Sequence, residues 1–226
     1  MPTLSVSSRK GPPDMKTLIL ANGDFPISDE LYQISQTADC LIAADGGARH
    51  ATNLSRIPDV LVGDLDSIPT ALLDQFGKKE VKISRYSTRK DQTDLELAVD
   101  QALALDSTEI FLAGLLGGRW DMTLGNILLL AQKKYDKINF TVLGDGSVWK
   151  ILRRGTHHLQ TRCGTGVSLL PLSAVVENIS LSGLEYPLVG ESLHLGTSRG
   201  LSNVSTGTSV DISFASGVLL VIIGTE

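Results

Sequence analysis

The stretch "LVGDLDSIP", Leu61 to Pro69, sets two carboxylates, Asp64 and Asp66, one residue apart directly behind a short apolar run. At a separation of ~4 Å and an effective dielectric of ~20, two such charges repel by about 4 kcal/mol, so a folded chain holds them together only with compensation. A cation is the natural candidate. The apolar run, the acidic loop and the helical pattern over 69–76 together read as one strand, loop and helix.

The same unit recurs on both sides. "TLILA" precedes a helical pattern at 28–36, "CLIAA" one at 47–53, "VKISRY" one at 93–105 and "EIFLAG" one at 122–134, and "INFTVL" closes the series. Leu95, Ala98, Val99 and Ala102 share one helical face, as do Leu124, Ile127, Leu128 and Ala131. Such βα alternation predicts an α/β domain with a mostly parallel sheet, Rossmann-like and three-layered. After about Ser147 the helical patterns stop. Short strands punctuated by Gly and Ser follow ("VWKIL", "HHLQT", "VSLLPL", "NISLSG", "SLHLG", "SVDISF", "VLLVIIG"), which predicts an all-β sandwich or barrel. The turn "GDGS" at 144–147 marks the boundary. The expected parts are a flexible tail at 1–15, an α/β domain at 16–146 and a β domain at 147–226.

Composition narrows the partners. Of the 226 residues, 42% are hydrophobic and 20% charged, as in an ordinary globular protein, and no apolar run approaches the roughly 18 residues of a membrane span. A formal charge of −5 argues against nucleic acid as the main partner. Two distant cysteines, Cys40 and Cys163, make neither a disulfide framework nor a metal motif, which fits a reducing cytoplasm. The opening "MPTLSVSSRKGPPD" lacks the apolar stretch of a secretory signal.

In a parallel α/β sheet, ligands bind beyond the carboxyl ends of the strands. Four successive loops carry acid there: Asp45-Gly46-Gly47, then Gly63 to Ser67 with Asp64 and Asp66, then Lys90-Asp91-Gln92-Thr93-Asp94, then Gly117 to Asp121 with Arg119. Singly, each has a plain structural use. Asp45 suits a turn, Ser67 a cap before Ile68-Pro69, and Asp91 or Thr93 a cap for the helix behind them. Arg119 and Asp121 suit a surface ion pair, Glu96 a solvent-facing first turn, and Trp120 packing. The coincidence of four loops points instead to a hard divalent cation such as Mg²⁺, completed by polyphosphate oxygens, with glycines and one Arg around a nucleotide. Neither G-x-x-x-x-G-K-[ST] nor G-x-G-x-x-G after the first strand is present.

The set "ADGGARH", "LVGDLDSIP", "KDQTDLELA" and "GGRWDMTLGN", followed by a β domain, resembles the thiamine pyrophosphokinase family over about 17–226. The resemblance implies transfer of the pyrophosphoryl group of ATP to the hydroxyl of thiamine, giving thiamine diphosphate and AMP. It also implies a C-terminal β-sandwich and a homodimer with active sites between subunits. Carried over by motif, Asp64, Asp66 and Asp94 are the Mg²⁺ acids, with Asp45, Asp91 and Asp121 along the same edge. Asp45, Gly46, Lys90, Asp91, Gln92 and Thr93 fall at ligand-binding positions, and Lys90 and Arg119 steady phosphates. Asp94, Asp121 and Arg119 fall at catalytic ones, Asp94 being the preferred acceptor of the thiamine proton. "GLEYPL" implies Tyr186 as an aromatic wall for thiamine, and "TSRGLSN" implies Ser202 and Asn203 as pocket residues. Two features depart from or complicate this pattern: Met122 stands where bacterial members commonly have His, and Arg199 lies near the expected pocket of a cationic substrate, so it is expected to point outward or contact phosphate.

Rival readings are a haloacid dehalogenase type hydrolase, on Asp64-Leu65-Asp66, a pyrophosphokinase with a pterin acceptor, and a non-catalytic nucleotide or sugar-binding module. The hydrolase motif belongs after a first strand, whereas here it follows the third, and the β domain argues against the pterin acceptor. His50, His157, His158 and His194 show no metal spacing and receive no role; His157 and His158 are expected on a strand with rings facing opposite ways.

Overall fold

The computed structural model describes residues 15–23, 26–87, 89–117, 119–144 and 146–224. The expected tail lies outside these residues except for Met15, which opens the first strand. The α/β part runs β1 (Met15–Leu20), α1 (Asp29–Thr37), β2 (Cys40–Ala44), α2 (Ala48–Asn53), β3 (Val60–Gly63), α3 (Thr70–Gly77), β4 (Lys82–Arg85), α4 (Asp94–Ala104), β5 (Ser107–Ala113), α5 (Trp120–Leu130) and β6 (Asn139–Leu143). The β part follows as β7 (Val148–Gln160), β8 (Gly166–Pro171), β9 (Val175–Ser182), β10 (Glu191–His194), β11 (Asn203–Val204) and β12 (Ser209–Ile223).

Strands β1 to β6 pair in parallel in the order β6-β5-β1-β2-β3-β4, so the direction of winding reverses between β1 and β5. Alternate strand residues serve opposite faces, as a period of two requires. Leu18, Leu20 and Leu41 pack with Leu31 of α1 and Ala51 of α2, while Ile19, Ile42 and Val62 pack with Ala98 and Val99 of α4 and Leu130 of α5. Side-chain caps fix two helix starts, the Ser28 hydroxyl accepting from the Leu31 N–H and the Thr93 hydroxyl from the Glu96 N–H, each at 3.1 Å.

The sheet does not stop at the boundary turn. β7 pairs antiparallel with β6, and Ile151 and Leu220 join the core beneath α4 and α5. Four stretches expected as separate strands are in fact halves of two long ones. "VWKIL" and "HHLQT" both lie in β7, and "SVDISF" and "VLLVIIG" in β12. Gly155 (φ 137°) and Gly217 (φ 101°), which read as turns, sit where the β7/β12 register slips between Phe214 and Val218. A bulge uses glycine for the same backbone freedom as a turn, and sequence alone does not separate them. Beyond the slip, β12 changes its second neighbour from β9 to β8.

Helix α5 differs from expectation in both extent and facing. It begins at Trp120 and ends at Leu130, before a separate 3-10 turn at Lys133–Tyr135. The stop coincides with Arg153 of β7, whose guanidinium donates to the carbonyls of Leu130 (2.9 Å) and Ala131 (3.3 Å). Its Nε lies 3.5 Å from Asp136, an ion pair that makes no hydrogen bond. The buried residues are Thr123, Asn126, Ile127, Leu129 and Leu130, whereas Leu124 and Leu128 are 60% and 46% exposed. Trp120, expected to pack, is 81% exposed at the start of the same outward stripe. The helix is apolar nearly all round, so periodicity did not specify which stripe meets the core.

Arg153 thus ties the end of α5 to the β part. Replacing it by Met keeps the stem but leaves these carbonyls without a donor, and urea unfolding should show a loss of about 1–3 kcal/mol. An unchanged midpoint would show that Arg153 does not clamp α5.

Candidate active site

Because β2, β3, β4 and β5 are parallel, the loops that follow them share one edge. Asp45 leaves β2 with φ 46° and enters a 3-10 turn at Asp45–Gly47. Its two glycines are demanded by close approach: a Cβ on Gly46 would lie 2.0 Å from the Asn22 side-chain oxygen, and one on Gly47 2.0 Å from the Leu20 carbonyl. Asp45 Oδ1 is buried and has no hydrogen-bond partner among the described residues.

After β3 the backbone passes through Gly63 (φ 142°) and Leu65 (φ 68°). Leu65 is buried, which leaves Asp64 and Asp66 on the open side of the loop. The Asp66 N–H donates to Asp64 at 3.3 Å, a turn contact, and the Ser67 hydroxyl donates to Asp66 at 3.2 Å. Ser67 therefore does not cap α3, whose start has Pro69 before it and no side-chain cap. Asp45, Asp64 and Asp66 each bring one carboxylate oxygen to within 4.8 Å of the others. The resemblance groups Asp94 with Asp64 and Asp66 as Mg²⁺ acids; in the structure the residue whose carboxylate oxygen gathers with those of Asp64 and Asp66 is Asp45.

Asp94 borders the trio. Its Oδ1 lies 3.2 Å from the position a Cβ on Gly63 would take, and it holds Lys90 Nζ at 2.6 Å. In the same loop, Gln92 donates to Asp100 at 3.1 Å, Thr93 caps α4, and Asp91 is exposed. Glu96 is not solvent-facing as expected: Lys134 of the 3-10 turn reaches it at 2.8 Å and also holds Asp100, which accepts from Tyr135 as well. After β5, Arg119 and Asp121 form an exposed ion pair at 2.5 Å, and the guanidinium keeps the Asp121 carboxyl below its ordinary range. An exposed pair of this kind adds little to stability and is free to open for a ligand.

A cavity of about 410 Å³ opens at this edge, where the winding reverses between β1 and β5. Open α/β sheets bind ligands at such a point. Asn22, Asp45, Asp94, Arg119, Thr123 and Asn126 supply its polar lining. Asn22 and Asn126 did not stand out in the sequence, although Asn126 ends "GGRWDMTLGN". A lone amide has no spacing partner to reveal it.

The β-part residues gather elsewhere. The Asn203 amide binds the Tyr186 backbone both ways (3.0 and 2.8 Å), Ser202 (φ 55°) donates its N–H to Ser168, and the Tyr186 side chain is exposed. None of the three lines the cavity. Arg199 points outward, as expected, into an ion pair with Glu191 at 2.6 Å. His157 stacks on Phe214 and His158 pairs with Asp211 at 2.6 Å.

An acid-lined carboxyl edge beside a switch-point cavity, in a sheet that runs on into a β-rich half, defines a two-part α/β ligand-binding protein. Both halves find counterparts. Residues 31–142 match the thiamin pyrophosphokinase catalytic domain and residues 156–219 the thiamin pyrophosphokinase vitamin B1 binding domain. The chain belongs to the thiamin pyrophosphokinase family. It is 29% identical over 214 residues to the thiamine pyrophosphokinase of Bacillus subtilis (strain 168), covering 94% of this chain and 100% of that one. The crystal structure of the Bacillus subtilis thiamine pyrophosphokinase superposes with a TM-score of 0.81 at 27% identity, over 93% of this chain and 99% of that one. The Geobacillus thermodenitrificans thiamin pyrophosphokinase gives 0.78 at 25% identity, over 94% and 98%.

Gly63 lets the acidic loops approach one another. A methyl there would press on Asp45 Cβ and Asp94 Oδ1, each 3.2 Å away, in a backbone region that L-residues avoid. Gly63→Ala should cost about 1–3 kcal/mol in a thermal melt. A neutral substitution would show that the loops converge without it.

Proposed function

We propose that the protein transfers the pyrophosphoryl group of ATP to the hydroxyl of thiamine, giving thiamine diphosphate and AMP. The observation that carries this reading is the convergence of Asp45, Asp64 and Asp66 beside the switch-point cavity, in a chain whose two halves both match the family. The residues present fit Mg²⁺: three carboxylate oxygens converge, and the buried Asp45 Oδ1 has no donor from the protein. Asp45, Asp64 and Asp66 would hold the ion, with Asp94 alongside, and the ion would neutralise phosphate charge. The winding order and two-faced packing support a Rossmann-like three-layer half, and the separate core around Val167, Ile179 and Phe214 supports a sandwich in the other.

In the reaction the thiamine oxygen attacks the β-phosphorus, the bond from that phosphorus to the oxygen of AMP breaks, and the hydroxyl proton passes to Asp94 or, second, Asp121. Such transfers depend mainly on positioning and on charge stabilisation. Lys90, held at one hydrogen by Asp94, has two more for phosphate oxygens, and Arg119 can turn from Asp121 to the ligand. Asp91, Gln92 and Thr93 shape the loop that carries Lys90.

A homodimer with subunit-spanning sites belongs to the same reading. Tyr186, Ser202 and Asn203 lie outside the chain's own cavity lining, and Trp120, Leu124 and Leu128 form an exposed apolar stripe. A second copy would cover that stripe and bring Tyr186 to the edge, where an aromatic face suits the thiazolium. A cytoplasmic setting accords with two free cysteines. No helix among the described residues is long and apolar enough to cross a membrane.

Incubation with Mg-ATP and thiamine should yield AMP and thiamine diphosphate by mass, and Asp64→Asn or Asp66→Asn should lower turnover roughly 10²-fold or more. ADP with thiamine monophosphate, or phosphate released without thiamine, would overturn the proposal. Sedimentation should find a dimer that Trp120→Glu converts to monomer; a monomeric wild type would exclude the shared site.

A further inference from the structure

Thr123 and Asn126, one turn apart on α5, are each 7% exposed and both line the cavity. The Thr123 hydroxyl already donates to the Gly117 carbonyl at 3.3 Å. Asn126 is in a different position: no hydrogen bond from its amide is found among the described residues, and the amide is open to solvent rather than sealed as Asp45 Oδ1 is. An amide with no partner from the protein that opens onto a cavity can take its partner from a ligand. Here the open cavity is where that partner would sit.

The surroundings specify its chemistry. Leu95, Leu115, Leu116 and Met122 give the cavity apolar walls, while Asp45 and Asp94 stand at its acidic end. A ligand with a flat apolar body and a charged tail would place the body against Asn126 and the tail beside the aspartate trio. An Asn amide presents one acceptor and one donor side by side. On its N6/N7 edge adenine answers with an amino donor next to a ring acceptor, whereas the O6/N7 edge of guanine offers two acceptors, so the discrimination requires that edge of the base to face Asn126.

We propose that Asn126 reads the base of the nucleotide substrate and selects adenine over guanine. This rests on the pyrophosphoryl-transfer reading for its nucleotide, though not for its geometry. The aminopyrimidine of thiamine carries a similar donor and acceptor pair, so the test must separate the two substrates.

Asn126→Asp keeps the side-chain shape and replaces the donor by an acceptor; Asn126→Ser removes the amide if the first variant fails to fold, as judged by thermal melting. Turnover is measured with ATP and GTP at saturating thiamine, and calorimetry uses non-hydrolysable analogues of both nucleotides with Mg²⁺. The wild type should prefer ATP about tenfold or more. The variant should lose kcat/KM for ATP by about the same factor, hold GTP within about twofold, and leave the KM for thiamine unchanged. An unchanged ATP to GTP ratio would overturn the proposal, as would a shift confined to the KM for thiamine. The calorimetric arm separates this inference from the reaction. An Asn126-dependent preference for the ATP analogue in a protein that makes no thiamine diphosphate upholds the base reading and refutes the transfer. Turnover without any base preference does the reverse.

Discussion

Three carboxylates forced together, with no ion pair to a lysine or arginine among the described residues, is the constraint around which the rest of the molecule is arranged. One carboxylate oxygen from each of Asp45, Asp64 and Asp66 lies within 4.8 Å of the others, and Lys90 pairs with the neighbouring Asp94 instead. Their repulsion is opposed by the backbone. Asp45 at φ 46° and Leu65 at φ 68° are in conformations that residues with a Cβ avoid, while Gly63 at φ 142° occupies one that is open to glycine. Such strain persists only where the surroundings over-determine it, and here the surroundings are the buried strands β2 and β3, with Leu65 driven into the core beside Phe76. Folding energy is thus used to hold the three carboxylates together, as the proposed function would require of a site for a divalent cation and a polyphosphate.

The two halves of the chain are joined by more than a linker. Antiparallel pairing of β6 with β7, the shared core at Ile151 and Leu220, and the Arg153 clamp on α5 make the β part continuous with the sheet that carries the acids. Helix α5 lies at the centre of this arrangement. One stripe bears Thr123 and Asn126 into the cavity, its end is held by β7, and its remaining apolar stripe faces outward.

Legibility in the sequence followed how many residues cooperate in each signal. The βα series was readable because each strand is a run of apolar residues and each helix repeats them over several turns; Leu95, Ala98, Val99 and Ala102 are all buried on α4 as their spacing required. The acidic edge was readable because four loops repeat one chemistry. Single residues were less visible. Gly155 and Gly217 carry a bulge inside long strands, Ser67 has capping chemistry but binds Asp66, and Trp120 lies outside on a helix with two apolar stripes. In each of these a tertiary neighbour decides between two local options, and that neighbour is distant in sequence.

On the proposed function, Asp45, Asp64 and Asp66 would hold a divalent ion that neutralises the phosphates of a bound nucleotide. Mn²⁺ substituted for Mg²⁺ tests it most directly, by electron paramagnetic resonance of protein, Mn²⁺ and ATP together. The prediction is a protein-bound Mn²⁺ signal with phosphorus coupling from ATP, lost when Asp64 and Asp66 are both changed to Asn. A spectrum identical to that of Mn-ATP free in solution, or one unaffected by the double substitution, would contradict it.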